Sequence, residues 1–260
     1  MSETVAIVGA GITGLACAEA LEDAVVVDRI PVTGGVNGWD DPDTRRLTGA
    51  CRARFLLGTT ATRWDGGSLW VIGPSGIERI AAAALVIAGG ARPQGRAQLG
   101  IAGDRPAGVL PATSACHLAE NGLPVGRRVI VYGGGDWAHR ASVELLHAGA
   151  QVTVMAPYGL LREMPAGARV REGDRVTAVR GRLRVDHVEL DDGRTGVECD
   201  GLVLAHGLAP NRNVDGAVLD GERVIYAQPL DDPASVAGAE AAGRHAAVQA
   251  MELIRQGGTR

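Results

Sequence analysis

No lysine occurs anywhere in the 260 residues, so all 26 basic side chains are arginine. Without an ε-amine the chain cannot form a Schiff base with a cofactor aldehyde or complete a Walker phosphate loop. Nor can it build the Tyr-x-x-x-Lys site of a short-chain dehydrogenase, although its length would suit that class. Aromatic residues are scarce at 3%. Four cysteines, Cys17, Cys51, Cys116 and Cys199, lie far apart with no Cys-x-x-Cys among them. That spacing argues against a metal cluster or a sequence-local redox dithiol, and reduced thiols are the expectation. No apolar run approaches the ~18 residues that span a bilayer. The opening Met1-Ser2-Glu3-Thr4 lacks the basic segment and apolar stretch of a secretion signal. A net charge of −4 argues against nucleic acid or an anionic membrane as the main partner. A cytoplasmic protein with no metal is expected.

What is present is a hydrophobic content of 46% against 22% charged residues, the balance of a globular chain with a sizeable core, together with 38 glycines. Short β-rich runs alternate with Ala-rich helical stretches. Val5–Val8 reads as a buried strand, Thr13–Leu21 as a helix, and Ala24–Val27 as a second strand. The same grammar returns at Arg128–Tyr132, Trp137–His147 and Gln151–Met155. Between the copies, Ser68–Ile72 and Gly76–Ile80 read as a β-meander turning at Gly73-Pro74-Ser75. Two strands, Leu85–Ile87 and Leu202–Leu204, each run into a Gly/Pro-rich stretch, the natural place for a crossing between domains. The tail, Ala234–Gln256, reads as one amphipathic helix.

Gly9-Ala10-Gly11-Ile12-Thr13-Gly14 follows a strand and opens a helix, the context in which G-x-G-x-x-G is informative. The first glycine permits the tight turn, the second lets backbone approach a pyrophosphate, and the third lets helix and strand pack closely. The helix N-terminus then offers free N–H groups to the anion. Asp28 ends the second strand near the ~20-residue spacing at which an acid accepts from an adenosine ribose. The second loop, Gly133-Gly134-Gly135-Asp136-Trp137-Ala138, has the G-x-G-x-x-A form. Its ribose-acid position falls near Ala156, which has no side-chain acceptor, and Arg162 is the nearest base. Trp137 stands where a small residue is usual, so it either obstructs a pyrophosphate or packs beside the helix start.

In this order the motifs resemble those of the two-dinucleotide-domain flavoproteins, the superfamily of thioredoxin reductase and the pyridine nucleotide–disulfide oxidoreductases. The resemblance rests on Gly9–Gly14, Asp28, the Gly34-Gly35 pair, Ala88-Gly89-Gly90-Ala91-Arg92-Pro93, the second loop, and Ala205-x-Gly207-x-x-Pro210-Asn211. With no dithiol, and with Gly108-Val109-Leu110-Pro111-Ala112-Thr113 before the second unit, the chain looks most like the FAD-binding alpha-type subunits of heteromeric amine and opine dehydrogenases and hydrogen cyanide synthase. The resemblance implies an α/β fold of two Rossmann-like three-layer domains, the second inserted into the first. Residues 1–107 with 213–260 would form the FAD-binding-type domain and 108–212 the NAD(P)-binding-type domain. Gly9, Gly11 and Gly14 would hold the FAD pyrophosphate, and Asp28 the ribose. Gly35 would stand beside the loop, Ala61 (in a strand Leu56–Thr62) at the adenine edge, and Gly89 and Gly90 beside the dinucleotide. Gly133, Gly135 and Ala138 would receive NAD(P).

The pattern departs from the family in three respects. The segment between Gly35 and Phe55 is short for a wall around the flavin. The C-terminal Ala-x-Gly-Asp motif reads Tyr226-Ala227-Gln228-Pro229-Leu230-Asp231, which leaves Asp231, one position on, as the candidate for the ribityl chain. Third, no thiol pair or acid–base dyad stands at the flavin site, so no catalytic residue is assigned. His206 lies in the second crossing, where a nicotinamide or flavin could pass. His139 and His147 read as solvated helix-face residues, His245 as packed or exposed, and His117 and His187 as surface residues. The expected activity is an FAD-dependent oxidoreductase, or a subunit of one. Such an enzyme would pass electrons between NAD(P)H or an amine-type substrate and an acceptor, working with an electron-transfer partner, a second subunit or another copy of itself. The alternative is a non-catalytic assembly or regulatory subunit with a degenerate flavin site.

Overall fold

The computed structural model describes residues 3–191, 196–211, 218–227 and 235–257. The chain opens with β1 (Val5–Val8), α1 (Ile12–Glu19) and β2 (Ala24–Asp28), then a single 3₁₀ turn (Gly35–Asn37), α2 (Pro42–Ala50) and β3 (Arg54–Leu57). A meander follows, β4 (Thr60–Trp64), β5 (Ser68–Gly73) and β6 (Gly76–Ala81), and then β7 (Ala84–Ile87). Next come β8 (Ala91–Pro93), β9 (Ala102–Gly103), β10 (Val109–Pro111), α3 (Ala112–Glu120), β11 (Arg128–Tyr132), α4 (Asp136–His147) and β12 (Gln151–Ala156). They lead to β13 (Arg169–Glu172), β14 (Val176–Arg180), β15 (His187–Leu190), β16 (Val197–Glu198), β17 (Gly201–Leu204) and β18 (Leu208–Pro210). The chain closes with β19 (Val224–Tyr226) and α5 (Val236–Gly257).

These elements form two compact units, one of residues 1–91 and 210–260, the other of 92–209. Residues 92–107, placed with the first unit in the sequence reading, belong by their contacts to the second. The physical reason is β9, which pairs in parallel with β14 through Ala102↔Ala178 and Gly103↔Val179.

In the first unit five parallel strands lie in the order β19-β7-β1-β2-β3. The two-residue period of a strand sends alternate side chains to opposite faces. Val5 and Ile7 of β1 therefore pack with Cys17 and Ala18 of α1 and Ala246, Ala247 and Ala250 of α5. Ala6 and Val8 face the other way, onto Ala61, Leu69, Val71 and Ile80 of the meander. Because both faces are covered, the strands read as continuous apolar runs rather than alternating ones. α1 and α5 approach closely at Gly243, where a Cβ would overlap the carbonyl oxygen of Thr13.

The second unit repeats the plan with parallel strands in the order β10-β17-β11-β12-β13. Val129 and Val131 pack against Ala112, Ala115, Ala138, Ala141 and Leu145 of α3 and α4. Ile130 and Tyr132 pack on Val176, Val179, Val188 and Leu190 of β14 and β15. Each unit is thus three layers: helices, parallel sheet and a second small sheet, antiparallel in the first unit and mixed in the second, where β9 adds in parallel to antiparallel β14-β15-β16.

Leu56–Thr62 is not one strand. Gly58, at φ 65°, turns the chain between β3 and β4, so Ala61 lies in the meander opposite Val71. The short stretch between Gly35 and Phe55, for which the sequence reading named no element, contains α2. Its start is signalled by Asp41, whose carboxylate accepts from the Thr44 backbone N–H at 2.9 Å, with Pro42 in the first helical turn.

Candidate functional site

At the carboxyl edge of the first sheet, Gly9 leaves β1 with φ 113° and its N–H donates to the Val27 carbonyl at 2.8 Å. A Cβ at Gly9 would overlap the Ala88 carbonyl, and one at Gly14 would overlap the carbonyl oxygen of Gly9. The fold itself demands those two glycines. Gly11 differs. Its backbone is extended (φ −78°, ψ 180°), it caps α1, and a Cβ built on it meets no heavy atom within 4 Å. The first turn of α1 has no side-chain cap and no acid, so its amide N–H groups face that space unneutralised.

Asp28 closes one side of the cradle. Its Oδ2 accepts from Ala10 N at 2.7 Å and its Oδ1 from Ile30 N at 2.8 Å, so the carboxylate is locked by the turn it serves. Each oxygen keeps a lone pair for a further donor such as a ribose hydroxyl. Thr59 N donates to the Asp28 carbonyl at 2.8 Å, which brings the start of β4, and with it Ala61, to the same edge. Gly34 N donates to Ala10 O at 2.8 Å, and a Cβ on Gly35 would approach the Gly11 Cα at 3.3 Å, so the Gly34-Gly35 pair seats against the loop. Behind them, Asn211 secures the crossing. Its side-chain amide donates to Gly89 O at 3.1 Å and its backbone N–H to Gly90 O at 2.9 Å. An open cradle, a helix amino end and a fixed acid together match the chemistry of a dinucleotide pyrophosphate and its adenosine ribose, so the residues present fit FAD.

The second unit carries the same loop at its own sheet edge. Gly133 N donates to Met155 O at 2.8 Å, a Cβ there would crowd the Ala205–His206 peptide, and Gly135 again opens onto free space. Ala138 is buried in the α3–α4 core. Trp137 packs against that core with the Arg140 guanidinium 5.7 Å from its ring centroid, the packed arrangement of the two the sequence allowed. Arg162 folds back on the loop: its N–H donates to Gly134 O at 2.8 Å and its guanidinium pairs with Asp136 at 2.9 Å. His206 follows β17 and lies against Tyr132, with ring centroids 5.6 Å apart. Burial first, then the positive field of Arg175, lower its pKa below the ordinary histidine value, so the imidazole is neutral at pH 7.

The four thiols are free. Burial is the main cause of a raised pKa in each case, pushing Cys17 and Cys199 up to about 12 and Cys51 and Cys116 up to about 11. His139 contacts the Glu163 carbonyl at 2.8 Å, His117 and His245 are exposed, and His187 pairs with Asp186. Among the described residues no group of three or more His, Cys, Asp or Glu could hold a metal, and no helix is long and apolar enough to cross a membrane. Asp231 lies outside the described residues. Sequence reasoning quoted Asn211 only as part of a motif, and it passed over Glu172 at the end of β13.

Comparison with known proteins gives a concordant picture. The family model described as pyridine nucleotide-disulphide oxidoreductase matches residues 3–225. Among solved structures, thioredoxin reductase from T. acidophilum is 18% identical with a TM-score of 0.67, over 96% of this chain and 99% of that one. A NAD-dependent persulfide reductase from A. fulgidus is 18% identical (TM-score 0.66) over 95% of this chain and 59% of its own length. A water-forming NADH oxidase from Lactobacillus brevis is 15% identical (TM-score 0.64), over 95% and 69% respectively. At these identities the likeness is one of fold. A search of curated protein sequences gives no match.

Proposed function

The chain belongs to the pyridine nucleotide-disulphide oxidoreductase family, FAD-binding enzymes that use NAD(P)H, and from that premise we propose a specific reading. The chain is an FAD-dependent oxidoreductase, or the flavin-bearing subunit of one. It passes electrons between a pyridine nucleotide or an amine-type substrate and an acceptor, without a dithiol. The observation that carries this is the cradle at Gly11, open where a side chain would stand and bounded by glycines that cannot carry one.

In this reading Gly9, Gly11 and Gly14 hold the FAD pyrophosphate, Asp28 the adenosine ribose, and Ala61 the adenine edge. Gly35, Gly89 and Gly90 border the dinucleotide. Gly133, Gly135 and Ala138 serve a pyridine nucleotide in the second unit. Bound in the first unit, FAD would supply the two-electron acceptor. The protein's own part is to orient it: the α1 amides neutralise the pyrophosphate, and Asp28 fixes the ribose from a carboxylate already held by two backbone N–H groups. Burial favours the protonated form of all four thiols at neutral pH, and this reading routes the electrons through none of them. A small-molecule substrate or an electron-transfer protein then takes them.

One observation favours the second reading, a non-catalytic subunit of an amine-dehydrogenase-type assembly. Between Gly35 and β3 the chain has only a 3₁₀ turn and the nine-residue α2, and Val36 and Trp39 stand 61% and 60% exposed there. A partner chain would then complete or replace the flavin wall. The visible spectrum of the purified protein separates the two readings. A yellow protein that releases FAD at about one per chain and bleaches with NADH or an amine supports the enzyme. A folded, colourless protein that takes up no added FAD refutes it.

A further inference from the structure

In the first unit the acid stands at the end of β2 and its in-register neighbour on β3 is apolar, Asp28↔Leu57. The second unit reverses this. Ala156 ends β12 and its in-register neighbour, at the end of β13, is Glu172. Adjacent strands are about 4.8 Å apart, and glutamate is one methylene longer than aspartate. The carboxylate leans back toward β12: Glu172 Oε1 accepts from the N–H of Gly159, three residues past Ala156, at 3.1 Å. Thus the acid missing from the usual strand is supplied by the next one.

Beside it stands Tyr158, 81% exposed in a chain with few aromatic residues. Its ring lies across Gly173, the residue after Glu172, in the space a side chain there would need. Gly173 N also donates to Ala156 O at 2.7 Å, which ties the two strand ends together. The phenol end of the ring covers the Gly173 backbone position, and the ring is otherwise open to a planar partner. Two nearby arginines are engaged with other carboxylates, Arg162 with Asp136 and Arg171 with Asp174.

We propose that the second unit selects NADH over NADPH, with Glu172 accepting from the adenosine ribose hydroxyls and Tyr158 stacking on the adenine. This rests on the reading that the second unit takes a pyridine nucleotide. A 2′-phosphate would place a dianion against the Glu172 carboxylate, and juxtaposed like charges are a strong discriminant. A free 2′-hydroxyl instead donates to it.

The test is calorimetric titration of the whole protein with NAD⁺ and NADP⁺, which reads binding without turnover, alongside its flavin content. Wild type should bind NAD⁺ at least about tenfold more tightly than NADP⁺. Glu172→Gln keeps an oxygen for Gly159 N but loses the charge, so the ratio should fall toward one with flavin content unchanged. Tyr158→Ala should weaken both nucleotides about tenfold and leave their ratio alone. Equal wild-type affinities, a ratio unmoved in Glu172→Gln, or no binding of either nucleotide to a folded protein overturns the inference. A colourless protein that still prefers NAD⁺ in this way upholds it while removing the flavoenzyme reading.

Discussion

Gly11→Val separates the demands of the fold from those of the ligand. Gly11 has φ −78°, which any residue adopts, and its Cβ direction is empty to 4 Å, so the substitution costs the apo protein only its preference at the cap of α1. That is about 1 kcal/mol, or a Tm lowered by about 2–4 °C for a chain of this size. The two methyl groups would occupy the space assigned to the pyrophosphate. Overfilling a fitted site costs about 1–3 kcal/mol, roughly a ten- to hundred-fold loss of FAD affinity. Gly14→Ala is the opposite control, because its Cβ falls on the Gly9 carbonyl and the strand and helix must separate. A loss of about 3 kcal/mol or more lowers Tm by about 6–12 °C. The assay pairs scanning calorimetry of the apo proteins with fluorescence titration of FAD. A folded Gly11→Val protein that retains wild-type FAD affinity, or a Gly14→Ala protein of wild-type stability, refutes the reasoning.

Other consequences follow from the same geometry. Gly243→Ala should destabilise the first unit by about 1–3 kcal/mol, read as a lowered urea midpoint, because its Cβ overlaps the Thr13 carbonyl at the α1–α5 crossing. Asp28→Ala should strip the acceptor from two backbone N–H groups, costing about 1–3 kcal/mol and weakening FAD binding in the same titration. With thiol pKa values pushed up to about 11–12, the native protein should react slowly with a thiol reagent at pH 8, and all four groups should react at once in denaturant. The folded pKa of His206 lies below its unfolded value, so stability held above pH 6.5 is lost as pH falls through the folded value. His206→Gln should flatten that slope, and an NMR titration of the ring should show a midpoint below 6.5.

How far the sequence could be read follows from what each signal encodes. The first loop was legible because its glycines and Asp28 answer to backbone geometry, and the structure shows the overlaps that exclude side chains at Gly9 and Gly14. The three central strands of each parallel sheet were legible as apolar runs because they are buried on two faces. β13 was not, since all four of its residues are exposed and no hydrophobic period marks it. That is why Glu172 escaped notice although it sits in register with Ala156. The strand drawn through Leu56–Thr62 failed at a single turn residue, Gly58, while α2 was announced by Asp41 and Pro42 and passed over. The edge of the second unit moved because two residues of β9 pair with β14, a contact that no local pattern encodes.

The first unit is written in two pieces, with β19 and α5 arriving only after the whole of the second. On the ribosome this imposes an order. The second unit is continuous and complete by residue 209, so it can fold as soon as it emerges. The first must wait from residue 91 until α5 is made, about 8–33 s at 5–20 residues per second. Through that interval the apolar face of α1 that α5 will cover remains bare, and a chaperone or a stray copy of the chain competes for it. Yield in the cell therefore depends on how quickly those last helical turns follow. A truncation inside α5 should lower soluble expression far more than its length alone would suggest.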